Sequence, residues 1–187
     1  MRTGIPCRRE RSQGRRATIP FLLLVAACYP TTTRPATLPL PSASVSEWEL
    51  SVREATQELA LALDADSIPV RRTEPGDGWL ETGWFDAATL RPTQRRPLGD
   101  GIVRLRAWID PGKPNYSSVT VETVYRPFDD PSRESRALEQ VVVANHPVAL
   151  RVNRILAALS KKFGGHSDDD EMVAPPDSAV GLKRKKP

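Results

Sequence analysis

The side chains that most often carry out catalysis or bind metals are scarce in this chain of 187 residues. Its histidines are His146 and His166, and its cysteines are Cys7 and Cys28. His146 precedes Pro147, a residue suited to the first turn of a helix, so a capping role is favoured over a catalytic one. His166 lies in a polar stretch, where it is expected to be solvated. A metal site needs several converging ligands, and no such spacing occurs, so we expect no metal and no cofactor.

Carboxylate groups occur in pairs and in one run, but their settings do not favour catalysis. Asp129 with Asp130, and Asp64 with Asp66, are better explained as residues at helix boundaries than as paired acids. The acidic run of residues 168–171 lacks the spaced loop that calcium sites use. Nucleophile, phosphate-loop and zinc-protease motifs are also missing. The sequence therefore predicts a protein without catalytic residues, with a hydrolase lacking a recognisable motif as a remaining alternative.

Cys28 stands at the end of a segment with the pattern of a secretory signal peptide. Six arginines precede an apolar run, residues 19–27, that ends in two alanines. This run is far shorter than the roughly 20 residues that a transmembrane helix needs. A basic region, a short apolar region and small residues before a cleavage point are typical of export. Residues 1–27 are therefore predicted to be a signal peptide.

Residues 25–28, Val-Ala-Ala-Cys, resemble the bacterial lipobox. The resemblance implies cleavage after Ala27 and acylation of Cys28 with palmitate-type chains, which gives a membrane lipoprotein of the cell envelope. In such lipoproteins an aspartate after the cysteine favours retention at the inner membrane, so Tyr29 implies a periplasm-facing location at the outer membrane. The alternative is an ordinary secretory peptide with an incidental cysteine.

Removal of the signal peptide changes the charge of the protein. The whole chain has 27 basic and 23 acidic residues, and its first 27 residues hold six arginines and one glutamate. The mature part therefore has 21 basic and 22 acidic side chains, a net charge of −1. Binding of nucleic acid is not expected from this charge. With Cys7 removed and Cys28 acylated, no disulfide is expected either.

The mature chain is predicted to have three parts. Residues 28–44 begin with the lipidated cysteine and continue as a disordered tether rich in proline and threonine. At polyproline dimensions this tether would hold the next part on the order of 40–50 Å from the membrane. Residues 45–163 form a single domain, and residues 164–187 form a disordered, charged tail.

The domain is predicted to begin and end with a helix. Ser46 and Glu49 fit a capping box, and apolar residues then recur at helical spacing through residues 47–64. A second apolar stripe follows Pro147 and ends near Phe163, before two glycines. Between the helices, alternating patterns predict strands at residues 67–73, 78–85, 101–109 and 117–126.

These elements indicate an α+β fold in which a small antiparallel sheet of three to five strands is flanked by an N-terminal and a C-terminal helix, in a two-layer sandwich. Residues 101–109 and 117–126 should pair as a hairpin across a strong turn. Residues 138–143 fit either a last short strand or the end of a helical turn.

A candidate binding face lies on the predicted outer side of the hairpin. Arg104, Arg106 and Trp108 share this side of one strand, and Trp84 or Trp79 from the preceding strand could join them. Exposed arginine and aromatic side chains are favoured at interfaces. The alternative is structural, with Arg104 paired to Glu122 across the strands and Trp108 covering the sheet edge.

Residues 78–84, Gly-Trp-Leu-Glu-Thr-Gly-Trp, are similar to a strand of the BamC-type accessory lipoproteins of the outer-membrane assembly machinery. That family has two such domains, whereas this chain has room for one. The resemblance implies a non-enzymatic, membrane-anchored module that binds an envelope protein or assists assembly. A small-ligand or lipid carrier is the alternative, because a helix packed on a curved sheet can enclose a cavity.

Overall fold

The computed structural model describes residues 32–164 and 166–167, and for the last two it describes the backbone only. The predicted signal peptide, the cleavage point at Ala27, the lipidation site Cys28 and the tail from residue 168 onward lie outside the described residues. Within residues 32–164 and 166–167, neither helix is long and apolar enough to cross a membrane.

The first helix, α1, spans Val52–Ala65. Its capping box uses Ser51 and Glu54, so the prediction of a helix from residue 47 is wrong at its start. The Ser51 hydroxyl accepts the Glu54 backbone N–H, and the Glu54 carboxylate accepts the Ser51 backbone N–H. The same Ser-x-x-Glu pattern occurs five residues earlier, at residues 46–49, and sequence alone does not separate the two.

The residues before α1 form strand β1, Ser44–Trp48. Ser46 and Trp48 are buried, whereas Val45 and Glu47 between them are only partly covered. This alternation suits a strand, and it decides between the two possible helix starts.

The remaining strands are short except for one hairpin. Three of them have only two residues each. After α1 come β2 (Val70–Glu74), β3 (Trp79–Thr82), β4 (Phe85–Asp86), β5 (Gly99–Pro111), β6 (Ser117–Arg126), a 3-10 helix (Ser135–Leu138), β7 (Gln140–Val141), α2 (Pro147–Lys162) and β8 (His166–Ser167).

The strands form an antiparallel sheet in the order β2-β3-β5-β6-β1-β8, with β4 paired to β5 and β7 paired to β6. The α+β class is as predicted, but the expected sheet of three to five strands is wrong because it is too small. Strand β1 was not predicted, because the apolar pattern that begins at its end indicates a helix from residue 47. Strand β8 was not predicted, because two residues are too few to show alternation.

The β5–β6 hairpin sets the register of the sheet. Arg106 lies opposite Glu122, and Trp108 lies opposite Thr120. Arg104 lies opposite Val124, so the expected pairing of Arg104 with Glu122 does not form.

Both helices pack on one side of the sheet, the inner face, where they also touch each other. Apolar side chains from α1, α2 and the central strands are buried between the helices and the sheet. Members of this core include Leu59, Leu63, Leu80, Leu105, Ala107, Ile109, Val119, Val121, Val152 and Leu156. The opposite side of the sheet, the outer face, is covered by segments other than α1 and α2.

Residues 138–143 combine both predicted alternatives. A 3-10 helix ends at Leu138, and β7 follows at Gln140–Val141. The chain then reaches α2, whose N-cap is His146 and whose first residue is Pro147, as the sequence indicates.

Residues 32–43, which we call the strap, differ from the expected tether. They were expected to extend freely as part of a disordered segment, but they lie across the outer face. The backbone N–H of Thr33 donates a hydrogen bond to Asp77 in the β2–β3 turn, and that of Leu40 donates one to Glu122 in β6. The strap then turns into β1, so it crosses the sheet from one side to the other.

Candidate binding site on the outer face

Of the four candidate residues that the sequence singled out, two are buried and two are half-buried. Trp108 is 0% exposed and Arg106 is 8% exposed. Glu122, their neighbour on β6, is 0% exposed. Arg104 and Trp84 are half-buried. Arg104, Arg106 and Trp108 occupy alternate positions of β5, and Trp84 lies beside Arg104. Arg106 and Trp108 are not an exposed binding surface.

Below the strap lies a group of paired charges, the charge cluster: Arg106, Arg126, Arg136, Glu122 and Glu139. The Glu139 carboxylate accepts two bonds from Arg106, at 2.6 Å from Nη1 and 3.2 Å from Nη2. Arg106 Nη1 also donates to Glu122 Oε1 at 3.1 Å. Arg136 Nη2 donates to Glu122 Oε2 at 2.9 Å, and Arg126 Nη2 lies 3.7 Å from Glu139 Oε1. Such charge-assisted pairs satisfy groups that would otherwise be costly to bury.

The pKa shifts of three members of the charge cluster, Glu139, Arg106 and Arg136, favour their charged forms. Burial alone would raise the pKa of Glu139, but hydrogen bonds and charge from Arg106 and Arg136 outweigh it and lower that pKa. Burial would likewise lower the pKa of Arg106, yet bonding to Glu139 and Glu122 raises it. The hydrogen bond to Glu122 raises the pKa of Arg136. Groups held in their charged forms are suited to recognition rather than to proton transfer.

Two tryptophans lie beside the charge cluster. The rings of Trp79 and Trp108 meet edge to face, with centroids 4.9 Å apart and an interplanar angle of 69°. Trp108 Nε1 donates to the carbonyl oxygen of Thr37 at 3.1 Å. Trp79 Nε1 is buried and has no hydrogen-bond partner among the described residues.

The strap is held by hydrogen bonds at five points. Arg136 Nη2 donates to the carbonyl of Leu38 at 2.8 Å, and the Leu40 backbone N–H donates to Glu122 Oε2 at 3.0 Å. Arg34 forms a bidentate pair with Asp110, with N–O distances of 2.7 and 3.1 Å.

At the start of the strap, Thr33 donates from its backbone N–H and its hydroxyl to Asp77. These bonds, the hydroxyl bond first, lower the pKa of Asp77. Trp108 donates to the carbonyl oxygen of Thr37, which makes the fifth point. Four of the five points therefore use a main-chain group of the strap, at Thr33, Thr37, Leu38 and Leu40.

Trp84 lies between two guanidinium groups at the edge of the outer face. Arg126 is 5.2 Å and Arg104 is 5.9 Å from its ring centroid, which are cation–π distances. Arg104 also pairs with Glu81 at 3.0 Å. Burial, and then the nearby charge of Arg106, lowers the pKa of Arg104.

His146 has a structural role. Its Nδ1 accepts the Val148 backbone N–H at 3.2 Å, and its Nε2 lies 3.1 Å from the carbonyl oxygen of Asp100. A neutral ring protonated on Nε2 satisfies both bonds. The side chain of His166 lies outside the described residues. In the part of the chain that the structure describes, no group of three or more His, Cys, Asp or Glu side chains is arranged to hold a metal ion.

The inner side of the sheet contains a cavity. It has a volume of about 390 Å³ and lies between β6, β7 and the first half of α2. Val121, Thr123, Val142, Ala149 and Val152 contribute to its lining. A larger groove of about 550 Å³ runs along α1, but it is open to solvent and lined by exposed residues such as Leu61.

Sequence reasoning missed Glu139, Arg136 and the strap. Glu122 carries a usable signal, because a glutamate at an outward position of β6 faces Arg106 across the hairpin. The strap carries none, since its residues show no periodicity and its partners are distant in sequence; Thr37 and Trp108 are 71 residues apart.

Comparison with protein-family models, with curated proteins and with solved structures found no match to this chain. Its function therefore has to follow from its own residues.

Proposed function

We propose that this chain is a non-enzymatic, lipid-anchored binding protein of the bacterial cell envelope. The observation that carries the binding role is the contact between the outer face and the strap. Trp108, Arg136 and Glu122 bond the main chain of the strap at Thr37, Leu38 and Leu40. A surface that bonds the backbone of a segment without regular structure is suited to holding polypeptide.

The charge cluster supports a role in binding over one in catalysis. Its carboxylates are each bonded to at least one guanidinium group, and the pKa of Glu139 is lowered rather than raised. A general acid working at neutral pH would need the opposite shift. The cluster fixes the donors and acceptors that face the strap, which is what pre-organised recognition requires.

The membrane role is supported by the sequence around Cys28. The strap then limits how far the domain could lie from that anchor. Because the strap begins at Thr32 and is bonded from Thr33 onward, only four residue steps separate it from Cys28. Fully extended, these steps reach roughly 14 Å. An anchored domain would therefore stay close to the membrane, well inside the 40–50 Å expected for a free tether.

The partner that we propose is another envelope protein, and the location is the periplasmic side of the outer membrane. Tyr29 in place of an aspartate after Cys28 supports this location. The mature net charge of −1 gives no support for nucleic acid as a partner.

Lipidation of Cys28 is tested by producing the full chain and a Cys28→Ala variant in a bacterial host. We expect the unaltered chain to lose residues 1–27, gain the mass of acyl chains and fractionate with membranes. The variant should keep its precursor mass and gain no acyl chains. An unacylated Cys28 in a soluble, secreted product would overturn the anchored role.

A second candidate function is the binding of a small apolar ligand or lipid. The cavity of about 390 Å³ between β6 and α2 supports it, since ligand pockets commonly span about 300–1,000 Å³. Ala149→Phe should fill this cavity and abolish binding of a fluorescent fatty-acid probe. Ala157→Phe, on the exposed side of the same helix, is the matched control and should leave binding unchanged. Absence of probe binding to the unaltered chain would remove this candidate.

A further inference from the structure

We infer that the outer face is a docking site for a proline-rich, extended segment of a partner protein, and that the strap occupies this site as an intramolecular ligand. The inference rests on the proposed binding function and names the chemistry of the partner. The sequence of the strap shows which kind of segment the outer face holds.

Most of the strap contacts depend on its backbone. Trp108 and Arg136 donate to the carbonyl oxygens of Thr37 and Leu38, and Glu122 accepts the backbone N–H of Leu40. The Leu38 side chain is 80% exposed, so it adds little to the contact. A different segment of the same backbone shape would therefore meet the same donors and acceptors.

The composition of the strap defines the class of segment. Pro35, Pro39 and Pro41 have no N–H, so they leave no donor unsatisfied when the segment is covered. Proline also limits the conformations of the free segment, and this reduces the entropy lost on docking. An indole N–H that donates to a carbonyl suits such a segment, and Trp108 donates in this way to the carbonyl oxygen of Thr37.

The charged contact of the strap is made by a side chain. Arg34 forms its bidentate pair with Asp110 at the end where the strap enters the outer face. A competing segment is therefore expected to carry arginine next to its first proline, as in Arg34-Pro35. Asp110 remains half-exposed, with 51% of its side chain accessible, so it is available to an incoming arginine.

The strap is positioned to regulate access. It continues directly into β1, so its effective concentration at the outer face is about millimolar, and a separate segment must overcome this. Its first contacts, Thr33 to Asp77 and Arg34 to Asp110, are exposed or half-exposed, and such bonds are individually weak. Displacement would start at this end, which is also the end closest to Cys28.

The test uses a fluorescent peptide of residues 32–43 and the full chain. Polarisation is measured for the unaltered chain and for Arg34→Glu, which sets two negative charges against each other and weakens the strap. We expect the variant to bind the peptide at least about fivefold more tightly than the unaltered chain. Arg154→Glu, which alters an exposed arginine of α2, is the matched control and should behave like the unaltered chain.

A second measurement needs no variant. Hydrogen exchange of the Leu40 amide is followed in the unaltered full chain while the unlabelled peptide is added to millimolar concentration. Release of the strap should increase this exchange rate as the peptide replaces it. A peptide with glutamate in place of arginine should have a weaker effect.

Three results would overturn the inference: no binding of the peptide to Arg34→Glu, equal binding to the variant and the unaltered chain, or an unchanged Leu40 exchange rate. Dimerisation of the variant by exchange of straps would also overturn it, since the occupant would then be a second copy of the chain. None of these results depends on acylation of Cys28, so failure of the anchor and failure of the docking site are distinguishable.

Discussion

Glu122 is the residue whose change should most clearly expose the energetics of the charge cluster. Its Oε1 accepts from Arg106 and Arg136, and its Oε2 accepts from Arg136 and from the Leu40 backbone N–H. In Glu122→Gln one of these oxygens becomes an NH₂ group, which faces donors and cannot accept from them. The cluster then has three guanidinium groups and a single carboxylate.

The expected loss of stability is large for a substitution that hardly changes volume. Two hydrogen bonds to charged groups are lost, each worth about 1.5–3 kcal/mol, and Glu122 is fully buried. We expect the free energy of unfolding to fall by about 3–5 kcal/mol, the range for breaking a buried ion pair. With a urea dependence of about 2 kcal/mol/M, the unfolding midpoint should fall by roughly 1.5–2.5 M.

Urea unfolding at pH 7, followed by tryptophan fluorescence, measures this loss. Glu58→Gln is the matched control, because Glu58 pairs with Lys162 at the surface and should change stability by no more than about 0.5 kcal/mol. A loss in Glu122→Gln below about 1 kcal/mol would refute the reasoning, since it would mean that water already solvates the cluster.

Other changes test separate parts of the account. Because the pKa of Glu139 is lowered on folding, its stabilising effect is complete above the unfolded pKa of about 4.3 and is lost as pH falls through the folded pKa. The melting temperature should therefore fall less steeply from pH 6 to pH 3 in Glu139→Gln than in the unaltered chain. Equal slopes would contradict this. Gly78 has φ +61°, and a Cβ there would lie 2.1 Å from the Ile109 carbonyl oxygen, so Gly78→Ala should cost more than about 3 kcal/mol in urea unfolding. Gly76→Ala, with no atom within 4 Å of its Cβ, is the control and should be nearly neutral; similar losses in both would argue against the tight turn. Trp108→Phe removes the indole donor but keeps a ring, so it should cost about 1 kcal/mol and speed proteolysis within the strap, whereas unchanged cleavage would count against this contact.

The sequence was sufficient for elements whose pattern extends over many residues. The β5–β6 hairpin has regular alternation and a strong turn between its strands, and α2 has a continuous apolar stripe after Pro147. Patterns of this length reflect burial of one face, which does not depend on the details of the partner.

Local ambiguity explains the error at the first helix. The Ser-x-x-Glu pattern occurs twice, and Trp48 fits both a helical stripe and an alternating strand. Pairing of β1 with the distant β6 decides the outcome, and no local pattern reports that pairing. The short strands β4, β7 and β8 are likewise defined by the neighbours to which they bond.

The candidate site was predicted in part for a similar reason. Alternation predicted that Arg104, Arg106 and Trp108 lie on one face, and they occupy alternate positions of β5. Trp108 is covered in part by the strap, whose composition alone favours a solvated chain. Composition describes what a segment can bury by itself, and it does not include the donors and acceptors that another element offers.

The most direct test of the central claim is hydrogen exchange at the Leu40 amide in the isotopically labelled full chain. If the outer face holds the strap through its backbone, this amide, hydrogen-bonded to Glu122 in a partly buried setting, should exchange at least about a hundredfold more slowly than in a free peptide of residues 32–43. The protection should be lost in Glu122→Gln under conditions where that variant remains folded. Exchange of Leu40 at the rate of the free peptide in the unaltered chain would contradict the account, because the outer face would then hold no polypeptide.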